Sequence, residues 1–197
     1  YIKTGFAWFD EVNSHDPQFR FPFFIWNCMP RAGASQIHGH CQILMSKEPY
    51  SKVEILRKTC QKYTEETGFD YFQDLKLVHG SLGLSGSQGD VFFFASITPI
   101  KEKEVIIISP KDPSKNNNAK ETIFKILRCF IDIMGVSSFN LSISCPSIKE
   151  ELPYIIRVVD RGSLLKSTAD MGGMELYGSS VVAEDPYNII NIIKNDF

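Results

Sequence analysis

Cysteine is scarce in this sequence and is not arranged in pairs. The 197 residues include five cysteines at scattered positions, with no CxxC motif among them. This spacing excludes a disulfide framework of the kind that small secreted domains use. We therefore expect buried, reduced thiols and a cytoplasmic setting.

Long apolar runs and an excess of charge of one sign are also absent. The apolar runs have the length of strands, as at 105–108, well short of the roughly 20 residues that a membrane-spanning helix needs. A formal net charge of −2 provides no electrostatic basis for binding nucleic acid or a membrane surface. No signal peptide is visible, and the sequence opens at Tyr1, so a missing or removed upstream portion is left open. We expect a globular protein with neither a nucleic acid nor a membrane as partner.

Apolar periodicity and turn residues predict roughly eight strands and three helices. Extended segments are expected at 1–9, 21–27, 38–45, 75–79, 90–96, 104–109, 139–144, 154–159 and 174–183. Helices are expected between Ser51 and Gly68, over 122–134, and after Asp185. The hairpin-like neighbours favour an antiparallel α+β fold over alternating βαβ units. A coarse similarity in the order of predicted strands and helices predicts two related repeats, an incomplete first one over 1–68 and a second one over 69–197.

The most informative segment is GASQIHGHCQ, which begins at Gly33. On an extended strand, His38, His40 and Gln42 would share one face because side chains alternate. The small residues before them let the backbone approach an anion closely. Neutral imidazole attacks phosphorus well near pH 7, and a glutamine can donate to a phosphate oxygen without acting as a base. The segment predicts a nucleophilic histidine beside a phosphate site, whereas two histidines by themselves also suit a structural role or half of a metal site.

Asn27 together with the 33–42 segment resembles the galactose-1-phosphate uridylyltransferase branch of the histidine-triad superfamily. That branch includes nucleoside-diphosphate-sugar phosphorylases and dinucleoside polyphosphate phosphorylases. The resemblance implies a histidine-triad-like fold of antiparallel sheets with flanking helices. It also implies that His40 forms a nucleotidyl-enzyme intermediate with Gln42 beside it. The residues implied to hold the transferred phosphate are Asn27, Gly33, Ala34, Ser35 and Gln42.

Further substrate-binding candidates lie outside that motif. Arg31 lies inside the phosphate loop, which fixes its charge near an anion. Gly173 and Glu175 resemble the acceptor-sugar pocket of the second repeat, and a simple turn before a strand explains the glycine equally well. Arg157 and Arg161 could bind an acceptor phosphate, although salt bridges at a rim are the commoner use.

The resemblance also carries expectations about zinc. The first histidine, His38, is commonly a zinc or structural ligand in relatives, so zinc is expected here only if upstream sequence supplies its other ligands. A second zinc site is expected to be absent. Where relatives have a CxxC and a histidine, this sequence has FDYF at 69–72 and two isoleucines at 155–156. The phenylalanines that replace the two cysteines and the isoleucines cannot ligate zinc.

The sequence therefore predicts a nucleotidyltransferase or phosphorylase. Its expected substrate is a nucleoside-diphosphate sugar or a dinucleoside polyphosphate, with phosphate or a sugar phosphate as acceptor. Relatives often place active sites near a dimer interface, so a homodimer is also expected. The alternative is a non-catalytic nucleotide-binding module derived from this family, and a histidine-triad hydrolase is a third possibility that Gln42 disfavours.

Overall fold

The computed structural model describes residues 1–144, 147, 152–165 and 182–197. In these residues a seven-stranded sheet is flanked by five helices. The strands are β1 (Phe21–Cys28), β2 (Gln42–Ser46), β3 (Ser85–Gln88), β4 (Val91–Ala95), β5 (Val105–Ser109), β6 (Phe139–Ser144) and β7 (Tyr154–Asp160). The helices are α1 (Ile2–His15), α2 (Ser51–Thr67), α3 (Tyr71–Ser81), α4 (Asn117–Arg128) and α5 (Pro186–Asp196).

The sheet has the strand order β2-β1-β6-β7-β5-β4-β3, and every neighbouring pair is antiparallel. The predicted antiparallel α+β class is confirmed. Strands from both predicted repeats share this one sheet, because β1 pairs with β2 on one side and with β6 on the other. The division into repeats at residue 68 stays a prediction.

The two faces of the sheet differ in character, as β6 shows. Its residues alternate between buried Phe139, Leu141 and Ile143 and half-buried polar side chains. The buried face packs against α1, α4 and α5 in the main core, which includes Phe9, Phe24, Ile123, Ile126, Phe130, Ile156 and Ile190. On the second face, α3 covers only the far strands, where Phe92, Phe94 and Ile108 meet Phe72 and Leu75. The half of this second face formed by β2, β1 and β6 carries polar side chains, among them Gln42, Asn27 and Asn140, beside the apolar Phe23 and Ile25.

Two segments predicted as strands are helices. All of the 1–9 segment after Tyr1 lies in α1, because Phe6 and Phe9 fall on one helical face and are buried against the sheet. Residues 75–79 lie in α3, whose first turn is capped by the Asp70 side chain accepting from the Gln73 N–H at 2.8 Å. Apolar content alone misled the prediction, and the helical spacing and the cap were the signals that should have corrected it.

Other boundaries differ by smaller amounts. The predicted 38–45 strand is shorter, since β2 begins only at Gln42, and β3 was not predicted. The helix predicted at 122–134 begins at Asn117, where Asn116 accepts from the N–H groups of two following residues. The final helix is confirmed, with Asp185 accepting from the Tyr187 N–H at 2.9 Å. The predicted 174–183 segment lies almost entirely outside the described residues.

Membrane insertion by a helix is not supported by the described part of the chain. None of its helices combines the length and the apolar character needed to cross a bilayer.

Close packing of β3 on β4 generates a stability prediction. A Cβ atom added at Gly86 would lie 2.5 Å from Cζ of Phe93, a ring that is only 1% exposed. We expect Gly86→Ala to lower the free energy of unfolding by roughly 1–3 kcal/mol, because the buried ring has to move. Urea unfolding followed by circular dichroism measures this change.

Gly80→Ala is the matched control, since a Cβ there would have the Ser85 hydroxyl as its nearest neighbour at 3.9 Å. Gly80 lies within α3, so alanine is expected to leave stability unchanged or raise it by up to about 1 kcal/mol. Equal stability of the two variants would contradict the tight packing of Gly86 against Phe93.

Candidate active site

The candidate site lies on the second face of the sheet, at the β2, β1 and β6 strands. Gln42 pairs with Ile25, and Asn27 pairs with Asn140. Directly paired residues project from the same face, and Asn27 is two residues beyond Ile25, so Gln42, Asn27 and Asn140 share that face. Gln42 is exposed, and the two asparagines are half-buried. The sheet thus brings the predicted Asn27 and Gln42 together.

The predicted phosphate loop leaves β1 through a tight, irregular turn. Met29 has a φ of 72°, which is uncommon for a residue other than glycine, and a 3₁₀ turn follows over Pro30–Ala32. Gly33 then adopts a φ of 86°, a conformation that glycine accommodates best. The N–H groups of Gly33 and Ala34 donate within the turn, to Pro30 O at 2.9 Å and Met29 O at 3.3 Å.

These internal bonds make the turn a preformed backbone shape. The predicted contact of a phosphate with the Gly33 and Ala34 backbone stays a prediction, because both N–H groups have partners inside the turn. Ser35 follows immediately and is exposed. Its side chain is therefore accessible to a ligand.

The two histidines do not lie on a strand, which corrects the sequence prediction. The β1–β2 ladder ends at the Ile25–Gln42 pair. Before it, the His38 carbonyl accepts from Nδ1 of His40 at 3.0 Å, and this local side-chain bond takes the place of a ladder bond. The two rings remain neighbours, with centroids 5.3 Å apart. A Cβ at Gly39 between them would lie 4.0 Å from the Trp26 ring, which places the segment against β1.

The hydrogen bond to His38 determines the tautomer of His40. A carbonyl oxygen can only accept, so Nδ1 of His40 must carry the proton. In the neutral ring, Nε2 then holds the free lone pair. A lone pair on Nε2 is the group that attack on phosphorus requires, and the nucleophilic role of His40 stays a prediction.

Nearby thiols are unsuited to the same role. Burial raises the pKa of the Cys28 and Cys41 thiols above its ordinary value. A thiol with a raised pKa stays protonated near neutral pH and is a poor nucleophile and metal ligand. The two thiols are therefore weaker candidates for a nucleophile than the neighbouring imidazoles.

A hydrogen-bonded group ties Asn27 to the loop. Nδ2 of Asn140 donates to Oδ1 of Asn27 at 2.7 Å and to the Ala32 carbonyl at 2.8 Å. On its other side, Asn140 accepts at Oδ1 from Nη1 of Arg161. Sequence reasoning missed Asn140. The signal was available in FNLSIS at 139–144, where alternating polar residues mark a strand face that is not packed into an apolar core.

Arg31, Arg157 and Arg161, the three arginines considered from sequence, all have hydrogen-bond or salt-bridge partners in the structure. Nε of Arg31 donates to the Arg161 carbonyl at 3.4 Å, so Arg31 connects the loop to the end of β7. Arg157 pairs with Glu104, whose side chain is fully buried. Direct binding of an anion by Arg31 therefore stays a prediction, and the structure shows a salt bridge at Arg157.

Other predicted site residues are not brought into this group. Gly173 and Glu175 lie outside the described residues. In the described ranges, no three His, Cys, Asp or Glu side chains come close enough to hold a metal ion, so His38 has no ligand set there. Both zinc predictions stay untested.

Comparison with known proteins gives a fold-level result. No protein-family model and no curated protein matches the sequence. An ADP-glucose phosphorylase from Arabidopsis thaliana with bound ADP-glucose is similar over 98% of this chain, with a TM-score of 0.75 and 16% identity. A uridylyltransferase is similar over 99% of this chain, with a TM-score of 0.76 and 14% identity. A GALT-like protein from Arabidopsis thaliana is similar over the whole chain, with a TM-score of 0.72 and 15% identity.

The chain is thus structurally similar, over nearly its whole length, to galactose-1-phosphate uridylyltransferase-like proteins of the histidine-triad superfamily. It spans 64% of the length of the ADP-glucose phosphorylase chain and 67% of the uridylyltransferase chain. At these identities the likeness shows the fold, and activity has to be argued from the site.

The tautomer of His40 is directly testable. At a pH above about 8, where imidazole is neutral, we expect ¹⁵N–¹H correlation spectra to show the His40 proton on Nδ1. His15, which is exposed at the end of α1, provides a reference ring, and His40→Gln identifies the signal. A proton on Nε2 of His40 would contradict the hydrogen bond to His38.

Proposed function

We propose that this chain carries a nucleotidyl-transfer site that works in two displacement steps. In the first, Nε2 of His40 donates its lone pair to the α-phosphorus of a nucleoside-diphosphate sugar. The bond from that phosphorus to the bridging oxygen breaks, and its electrons leave with the sugar phosphate. In the second step, an oxygen of phosphate or of another sugar phosphate attacks the same phosphorus, and the bond to His40 breaks.

The observation that carries this proposal is the hydrogen bond from His40 to the His38 carbonyl. When the ring is neutral, this bond assigns the proton to Nδ1 and the lone pair to Nε2, and it favours one ring orientation for attack. Donors are needed beside it for the phosphoryl oxygens, which gain charge during transfer. Asn27 and Gln42 share one face of the sheet, Ser35 is exposed in the loop before the histidines, and we infer that these three side chains supply such donors.

Gln42 also favours transfer over hydrolysis. An amide can hydrogen-bond a phosphate oxygen but cannot remove a proton from water. A nucleotidyl-His40 intermediate beside Gln42 would therefore persist until an acceptor that carries its own nucleophilic oxygen binds. Phosphate and sugar phosphates meet this requirement because their oxygens are already anionic near neutral pH.

A nucleoside-diphosphate sugar is the substrate class that we favour. The similar ADP-glucose phosphorylase structure contains ADP-glucose, and its fold matches nearly all of this chain. The base, the sugar and the choice between phosphorolysis and transfer belong to the same proposal. No step of the proposed mechanism passes through a metal ion.

Covalent labelling tests the proposal. We expect the chain to retain ³²P from the α-phosphate of ADP-glucose or UDP-glucose in a bond that acid hydrolyses, as a phosphoramidate does. His40→Ala should abolish the label, because it removes the only atom to which the phosphorus bonds. His15→Ala, which removes an exposed histidine of α1, should label at the wild-type rate.

The labelling result also decides between the alternatives. Saturable nucleotide binding without label or product would overturn the proposal in favour of a nucleotide-binding module. Release of nucleoside monophosphate with no acceptor present would instead indicate a hydrolase.

Gln42 provides a graded test of the same site. We expect Gln42→Ala to slow labelling by about 100-fold, the size of effect seen when one donor to a developing oxyanion is lost. The rate is measured in a single turnover with excess enzyme, and thermal unfolding confirms that the variant is folded. A wild-type labelling rate in Gln42→Ala would remove Gln42 from the catalytic group.

A further inference from the structure

The hydrogen bonds around Asn140 have a direction that does not depend on how its amide is assigned. Arg161 has only donors, so the atom of Asn140 that faces it must be the oxygen. The Ala32 carbonyl has only acceptors, so the atom of Asn140 that faces it, 2.8 Å away, must be the nitrogen. One partner that can only donate and one that can only accept thus fix the orientation of the Asn140 amide.

The orientation of Asn140 then determines that of Asn27. The Asn140 nitrogen lies 2.7 Å from the Asn27 side chain, and only an oxygen of Asn27 can accept from it. Oδ1 of Asn27 is therefore turned toward Asn140, and its NH₂ group is turned away. A donor in that position suits an anionic ligand, whereas the opposite orientation would present a carbonyl oxygen and repel one.

We propose that Asn140, held by Arg161, is a positioning residue that sets the amide of Asn27 to donate to the phosphate of the substrate. This inference rests on the proposed nucleotidyl transfer. Asn140 acts through Asn27 and not on the reacting atoms. Its bond to the Ala32 carbonyl also holds the start of the Gly33–Ser35 loop to the same strand, so the asparagine and the loop keep one relative position.

The substitution Asn140→Asp reverses the orientation while conserving the size of the side chain. The carboxylate keeps its contact with Arg161 but has no donor for Asn27 or for the Ala32 carbonyl. The Asn27 amide then lowers its energy by turning its NH₂ toward Asp, which presents its oxygen to the phosphate. We expect single-turnover labelling to slow by about 10- to 100-fold, and to slow more than in Asn140→Ala, where Asn27 is left without a fixed orientation.

A double variant separates this reorientation from a general effect of the added negative charge. In Asn27→Ala, no amide remains to be reversed, so adding Asn140→Asp should change the labelling rate by less than about threefold. A charge effect on the nucleotide would persist undiminished in that background and would overturn the proposal. Asn191→Asp, which adds the same charge at an exposed asparagine of α5, should label as the wild type does.

Folding and function are distinguished by two further readings. Thermal unfolding of the Asn140 variants shows whether the rates simply follow lost stability, which would overturn a positioning role. A wild type that labels while Asn140→Asp labels equally fast would overturn the inference and leave the chemistry of His40 standing. A wild type that never labels would overturn the proposed function, and the inference with it.

Discussion

The pairing of β1 with its two neighbours is the constraint on which the rest of this structure depends. β1 lies between β2 and β6, so its register fixes positions on both sides of it at once. A shift by one residue would move Phe24 out of the main core and Asn27 onto the buried face. The burial of Phe24 against α1 and the sheet opposes such a shift. Core packing on one face thereby holds the polar residues of the other face in place.

The candidate site combines this rigid sheet with two segments that leave it. The turn after β1 closes on its own backbone, and the histidine segment before β2 is held by a bond from a ring to a carbonyl. Both segments are short and are attached to strands that pair directly with each other. Elements on a paired strand scaffold can keep donors and a nucleophile at a constant separation, which is what stabilising a phosphoryl centre requires. Similar structures with a histidine-triad-like fold show that this scaffold is shared, while the chemistry rests on the residues themselves.

Much of the sheet could be predicted from sequence, and the failures have a common physical cause. The strands at β1, β4, β5, β6 and β7 were recognised from dense or alternating apolar residues. The segments at α1 and α3 have similar apolar content, but their aromatic and apolar residues repeat at helical spacing, and Asp70 caps α3. In these two segments composition favours strands, whereas periodicity favours helices. The histidine segment was predicted as strand because the alternation of His38, His40 and Gln42 is equally compatible with a loop whose side chains bond locally.

The amino-acid sequence by itself determined the chemical groups of the candidate site: an imidazole, a small-residue loop, an asparagine and a glutamine. These follow from residue types and short spacings, which need no knowledge of distant contacts. Only the tertiary structure decided how those groups are presented. Asn140 contacts Asn27, which is 113 positions away in the sequence. The His38 carbonyl reaches Nδ1 of His40 because the backbone between the two histidines is not a strand. Hydrogen-bond direction depends on which atoms the fold brings together, and a linear pattern of residues does not contain that information.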